Sequence, residues 1–363
     1  MSRLSASRRQ CACALLGALL GVTPALRAEE GVGSGVFDTI EQGVQTLFQK
    51  CRSAVVRIEA MDSHGHLSGT GFFVDPNGTL YTSWGVGGEA RDFVVCTGDA
   101  KYMAKRLISD SRAGIAILKV DIDRPVPFLP IGSVQDLGVG SPIMTIGYPM
   151  DLPATPSFGM VGGFDIKHLG RFFGTKHIRA NVAVQRGEGG APLLNMKGEA
   201  VGILISSLDQ GSASFVLPIE AAEKVRRDYV RFGEVRTGWI GVIVGEAKAA
   251  EHGSVAEVQE VMPETPAQKA GLQTGDILLQ LGSKAVTSPE DMLDASYFLS
   301  AGDSVPVKVA REGEAIELSI QPAENPNQRR PLLVPSMDSV GRPNLENPLQ
   351  FGSGEEASKE KEN

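Results

Sequence analysis

Histidine and cysteine are scarce in this chain of 363 residues, which holds five of the first and four of the second. Cys11 and Cys13 fall in an apolar N-terminal stretch, and neither Cys51 nor Cys96 has a second ligand at zinc-site spacing, so a Cys-based metal framework is excluded. For an exported chain those two leave two readings open, a possible disulfide or a pair of buried free thiols. The histidines are scattered except for His64 and His66, which have only Asp62 close by and read as a solvated loop rather than a metal site. Runs of Lys or Arg are missing and the net charge is −8, which excludes a nucleic-acid surface. Aromatics make up only 6% while Gly reaches 43 and Pro 21, a balance that excludes large helical bundles and favours many short strands with tight turns.

What is present begins with Arg3, Arg8 and Arg9, an apolar stretch from Cys11 to Leu20 and a small-residue end at Ala28. That layout predicts a signal peptide over residues 1–28, cleaved near Ala28, and therefore export to the periplasm or cell envelope; a retained membrane anchor is the alternative. Residues 29–53 follow as a helical segment, with Phe37, Ile40, Val44 and Leu47 at helical spacing. From residue 54 to 219 short apolar runs recur between turn signals such as Asp75-Pro76-Asn77-Gly78 and Lys197-Gly198, which predicts a β-barrel or sandwich. Residues 220–235 read as a linker helix ending at Gly233, and residues 236–322 as a second, mixed α+β unit. The remainder, 323–363, is rich in Pro, Asn, Ser and Glu and is expected to be disordered.

Four ordered stretches carry a resemblance: GTGFFVDPNGTLYTSWGVG from Gly69, SRAGIAILKV from Ser111, TIGYPMDLPATPSFGMVGG from Thr145 and VQRGEGGAPLLNMKGEAVGI from Val184. Together they resemble the HtrA/Deg family of envelope serine proteases, in which a chymotrypsin-like double β-barrel is followed by a PDZ domain; the implied fold is mainly β. The family's general-base histidine aligns with Gly85, its orienting aspartate with Gly114 and its nucleophilic serine with Gly189. Glycine supplies neither nucleophile, base nor orienting group, so the resemblance implies a degenerate triad, a pseudoprotease. The neighbours Ser83, Trp84, Asp110, Ser111 and Glu188 are expected to point away from the cleft, because adjacent strand residues face opposite sides.

TGWIGVIV, Thr237 to Val244, followed by the segment from Val261 to Val286, resembles a PDZ domain with its carboxylate-binding loop. Trp239, Ile240, Gly241 and Val242 would form that loop, with Arg236 as electrostatic support. Counting back from Gly302 along SPEDMLDASYFLSAG, Phe298 and Ala295 would line the last side-chain pocket and Asp291 would meet the third-from-last residue. The resemblance therefore implies an exported, inactive homologue that binds peptides or protein C-termini as an adaptor, holdase or regulator of active HtrA-like proteases. It also implies a homotrimer, and no cofactor. The alternatives are an active endopeptidase using displaced residues and a structural oligomer with an unused groove.

Overall fold

A computed structural model describes residues 34–98, 100–168, 171–208, 212–249 and 253–324. The expected signal peptide and all but the first two residues of the expected tail lie outside these. Residues up to Gly43 form a unit of their own, and Val44 onward a second. In the first, helix α1 (Ser34–Cys51) begins, and the Thr39 hydroxyl donates to the Gly35 carbonyl at 2.7 Å. No helix among the described residues is long and apolar enough to cross a membrane.

In the second unit, strands β1 (Val55–Asp62), β2 (Gly65–Phe73), β3 (Thr79–Ser83), β4 (Asp92–Thr97), β5 (Ala100–Asp110) and β6 (Ile115–Val120) close into a barrel in the order β1-β2-β3-β6-β5-β4. One helical turn, α2 (Trp84–Gly87), follows β3. A second barrel, β7 (Pro142–Gly147), β8 (Thr155–His168), β9 (Arg171–Ala180), β10 (Pro192–Leu194), β11 (Ala200–Leu208) and β12 (Ala213–Pro218), closes as β10-β11-β12-β9-β8-β7. Turn chemistry fixes the hairpins. Asp75 accepts from the N–H groups of Asn77 and Thr79, and Asn195 from those of Lys197 and Glu199, so each side chain ties down its own turn.

Each barrel has its own apolar interior, Val56, Ile58, Phe73 and Leu118 in the first and Ile143, Val161, Leu193 and Val216 in the second. A further core joins them, in which Leu47 and Cys51 of α1 meet Phe72, Tyr81, Ile146 and Leu217. Helix α3 (Ile219–Phe232) buries Ile219, Ala221, Ala222 and Val225 in this same core and ends at Gly233, in the left-handed region at φ 77°. The helix expected as a linker is therefore packed into the core on one face.

The last domain contains β13 (Gly238–Trp239), β14 (Val242–Ala249), β15 (Gly253–Val261), helix α4 (Pro266–Ala270), β16 (Ile277–Leu281), β17 (Lys284–Ala285), helix α5 (Pro289–Tyr297), β18 (Val305–Arg311), β19 (Glu314–Ile320) and β20 (Ala323–Glu324). Its main sheet runs β14-β15-β16-β18-β19 over a core of Ala256, Val258, Leu278, Ala295 and Val307. Ala323 and Glu324, expected to begin the disordered tail, instead form a strand beside β13, with Gly238 opposite Glu324.

Cys51 and Cys96 are separate buried thiols, the second of the two readings that the sequence left open. Cys51 Sγ faces the Gly198 carbonyl at 3.8 Å, whereas Cys96 on β4 lies against Arg57 and Glu59.

Candidate functional site

The Gly-rich turn from Arg186 to Ala191 is pinned to the first barrel through Thr70. Its N–H donates to the Gly189 carbonyl at 2.9 Å and its hydroxyl to the Gly187 carbonyl at 2.8 Å, while the Tyr148 N–H donates back to that hydroxyl at 3.1 Å. Ser83 stands at the end of β3, where the strand gives way to α2. Its hydroxyl lies 3.3 Å from where a Cβ on Gly189 would sit and 4.0 Å from a Cβ on Gly85. The Gly114 carbonyl accepts from the Trp84 N–H at 2.7 Å, so Gly85, Gly114 and Gly189 converge on one cleft between the barrels.

The expectation that Ser83 points away is corrected. It lies two residues before Gly85, not one, and the chain turns into a helix between them, so strand alternation does not apply. Asp110 is buried and occupied, accepting from the Arg112 N–H at 2.9 Å and the Tyr297 hydroxyl at 3.2 Å. Glu188 is 3% exposed and turns into the second barrel, its Cγ 2.9 Å from where a Cβ on Gly147 would sit and its carboxylate accepting from the Gln185 N–H at 2.7 Å. Burial raises its pKa against the pull of that hydrogen bond. The histidines among the described residues sit on the β1–β2 hairpin (His64, His66), β8 (His168) and β9 (His177), none of them on the segments that carry the three glycines. A hydroxyl thus remains in the cleft, and the chain segments that build it carry no imidazole to take its proton.

The second candidate site is the loop between β13 and β14. The carbonyls of Ile240 and Gly241 accept from the N–H groups of Ala267 and Met262 at 2.9 and 3.0 Å. In a trans peptide the N–H points opposite to the carbonyl that precedes it, so the amides of Gly241 and Val242 are aimed away from those partners, as an anion-binding loop requires. Gly241 needs to be glycine twice over: its φ is 81°, and a Cβ there would run into Thr265. Ile240 is buried in the domain core, Val242 packs on that core, and Trp239 is half-buried in β13.

Helix α5 is rotated relative to expectation. The Asp291 carboxylate accepts from Thr287 and Ser288 in its own capping box and from Lys176 Nζ of β9 at 2.8 Å. Burial alone would raise its pKa, but the Lys176 and Thr287 hydrogen bonds outweigh it and bring the value to about 2. Its charge is therefore committed, and the expected free acid for a ligand is corrected. Phe298 packs beside the core between the barrels with Lys284 Nζ 4.3 Å from its ring, so it too faces the barrel, while Ala295 is fully inside the PDZ core. Arg236 places its guanidinium over the Phe232 ring and beside Glu234, on the α3 side of the loop. The helix face turned to solvent carries Leu293, 42% exposed, which the sequence count passed over. Its signal was an apolar residue on the helix face opposite Ala295 and Asp291.

Family models match on both halves: a trypsin-like peptidase domain over residues 69–203 and a PDZ domain over residues 238–321. A trypsin-like peptidase domain followed by a PDZ domain is the arrangement that makes this chain HtrA/DegP-like. This HtrA-like chain is 29% identical over 264 residues to a probable periplasmic serine endoprotease, DegP-like, of Ectopseudomonas mendocina, covering 69% of this chain and 55% of that relative. Against the protein of the same description from Hahella chejuensis it is 30% identical over 275 residues, covering 71% and 57%. It thus spans little more than half the length of the curated relatives it matches. Among solved structures, the HtrA-type protease AlgW with a tripeptide superposes with a TM-score of 0.62 at 22% identity, over 78% of this chain and 97% of that one. The serine endoprotease from Yersinia pestis gives 0.54 at 25% identity, over 78% and 98%.

Proposed function

We propose that this HtrA-like chain is a proteolytically silent, exported peptide-binding protein, acting in envelope protein quality control as an adaptor or holdase, or as a regulator of active HtrA-like proteases. The observation that carries this reading is the cleft itself: glycine at 85, 114 and 189 around a lone Ser83 hydroxyl, with the nearby carboxylates of Asp110 and Glu188 already bonded elsewhere. Acyl transfer needs a nucleophile, a base within about 3 Å of its proton and a group orienting that base, and losing them removes on the order of 10⁴–10⁶ in turnover. Peptide capture then falls to the PDZ loop, whose Gly241 and Val242 amides suit a terminal carboxylate, and to the edge of β14 that is unpaired among the described residues, which suits β-augmentation. The peptide bound by the HtrA-type protease AlgW and the periplasmic descriptions of the curated relatives support this assignment.

One observation favours a second reading, an endopeptidase that uses Ser83, because its hydroxyl stands so near Gly189. A fluorophosphonate probe separates the two. Under the proposal the purified chain is unlabelled and leaves casein intact, while the Gly85→His, Gly114→Asp, Gly189→Ser triple variant cleaves it. Labelling that disappears in Ser83→Ala would establish the endopeptidase instead.

A further inference from the structure

The open edge of the PDZ sheet and the last described residues, Ala323 and Glu324, lie side by side. Among the described residues β14 pairs only with β15, so its other edge carries unsatisfied backbone groups beside α5. Two residues, Ile240 and Gly241, separate β14 from β13, and β13 is the strand that β20 pairs with, Trp239 opposite Ala323. Glu324, the last described residue, therefore lies next to the peptide-binding loop, and the sequence continues from there. The residues that follow include Arg329-Arg330-Pro331-Leu332-Leu333-Val334-Pro335, which holds the only three consecutive aliphatic side chains between residues 325 and 363.

We infer that Leu332–Val334 is a built-in ligand of the β14 edge, added antiparallel to it and covering the groove until a stronger peptide displaces it; this rests on the peptide-binding reading above. Reach permits it. The ten residues from Glu324 to Val334 span up to about 33 Å, against roughly 14 Å for the four from Gly238 to Val242. Proline placement fits as well. In an added strand alternate residues turn their N–H to the partner, and Pro331 and Pro335 share the parity opposite to Leu332 and Val334, so neither missing N–H faces β14. Charge sets the register. With Val334 opposite Val242, Leu332 falls opposite Val244 and Arg330 opposite the exposed Glu246. An internal segment offers no terminal carboxylate to the Gly241 and Val242 amides, so the cover is weaker than a true C-terminus and exchangeable with one.

The test is fluorescence anisotropy with labelled RRPLLVPSM, titrated with the full natural chain and with the full chain carrying Leu332→Asp and Val334→Asp. A tethered segment acts at an effective concentration in the millimolar range, so the variant is expected to bind the probe about tenfold more tightly than the natural chain. Adding Leu293→Glu to the variant should abolish that binding. Equal affinity for the two chains overturns the inference. So does a variant that binds an unrelated apolar C-terminal peptide but not RRPLLVPSM, and in both cases peptide binding itself still stands. If neither chain binds any peptide, the underlying reading falls too. Competition that grows with protein concentration, with dimers in sedimentation, overturns the intramolecular form in favour of a second copy.

Discussion

Glycines that look alike in the sequence are under different constraints in the cleft. Around Gly85 and Gly189 the nearest atom to an added Cβ is the Ser83 hydroxyl, at 4.0 and 3.3 Å, and neither has a positive φ, so both accept a side chain with little backbone cost. Gly190 differs: its φ is 89° and a Cβ would press on the Thr70 carbonyl. Gly189→Ser is therefore expected to stay within about 1 kcal/mol of the natural chain, and Gly190→Ala to lose about 2–4 kcal/mol in urea titrations. Equal losses would show that the turn is not held as described. Gly114, at φ 80°, is intermediate, since Asp tolerates the left-handed region better than most residues, so the Gly114→Asp member of the triple variant should cost about 1 kcal/mol.

At the scale of elements, α5 holds the PDZ domain to the barrel through polar contacts of unequal worth. Asp294 is 6% exposed and accepts from the Thr175 hydroxyl and the Lys176 N–H, with Lys284 Nζ at 3.3 Å. Asp294→Ala leaves the buried Thr175 hydroxyl and the part-buried Lys176 N–H unpaired, so a loss of about 2–3 kcal/mol is expected. Lys176→Ala removes a pair whose lysine side chain is 38% exposed and should cost less than about 1 kcal/mol. Chemical denaturation of the two variants checks the order, and a larger loss for Lys176→Ala would contradict it. The same docking explains what the sequence could and could not disclose. Strand alternation and the turn signals are local, and a β-barrel or sandwich was legible from them; the pairing of two barrels came from the resemblance of the four ordered stretches. The rotation of α5 is not local: Asp291, Asp294 and Phe298 belong to the barrel contact only because β9 lies there, and no spacing within SPEDMLDASYFLSAG encodes that neighbour. Ser83 escaped for a related reason, since its direction depends on where β3 stops.

Over the whole molecule, the junction between barrel and PDZ domain concentrates buried ionisable groups, and its response to acid follows. Lys224 and Asp228 pair at 2.6 Å with almost no exposure, and Asp228 also accepts from Ser300 and from the Arg236 N–H, so helix α3, the PDZ domain and the intervening loop share one carboxylate. His177 on β9 is 1% exposed with Nδ1 2.6 Å from the Thr175 carbonyl, one strand residue from the groups that grip Asp294. Burial lowers its pKa to about 4, against the opposing effect of that hydrogen bond. The unfolded chain, with an ordinary imidazole near pH 6.5, takes up a proton first as pH falls, while the folded chain does not until about pH 4. His177 therefore costs nothing above pH 6.5 and progressively destabilises the fold between 6.5 and 4, by up to about 3 kcal/mol. Asp291, held at about 2, adds an acid-sensitive contribution only below the ordinary carboxylate range, so the two windows are separate. In thermal melts from pH 7.5 to 4.5 the natural chain should lose stability steadily below pH 6.5, and His177→Gln, which keeps a donor for Thr175, should flatten that slope. An unchanged slope in the variant would mean that the acid response of the junction comes from another group.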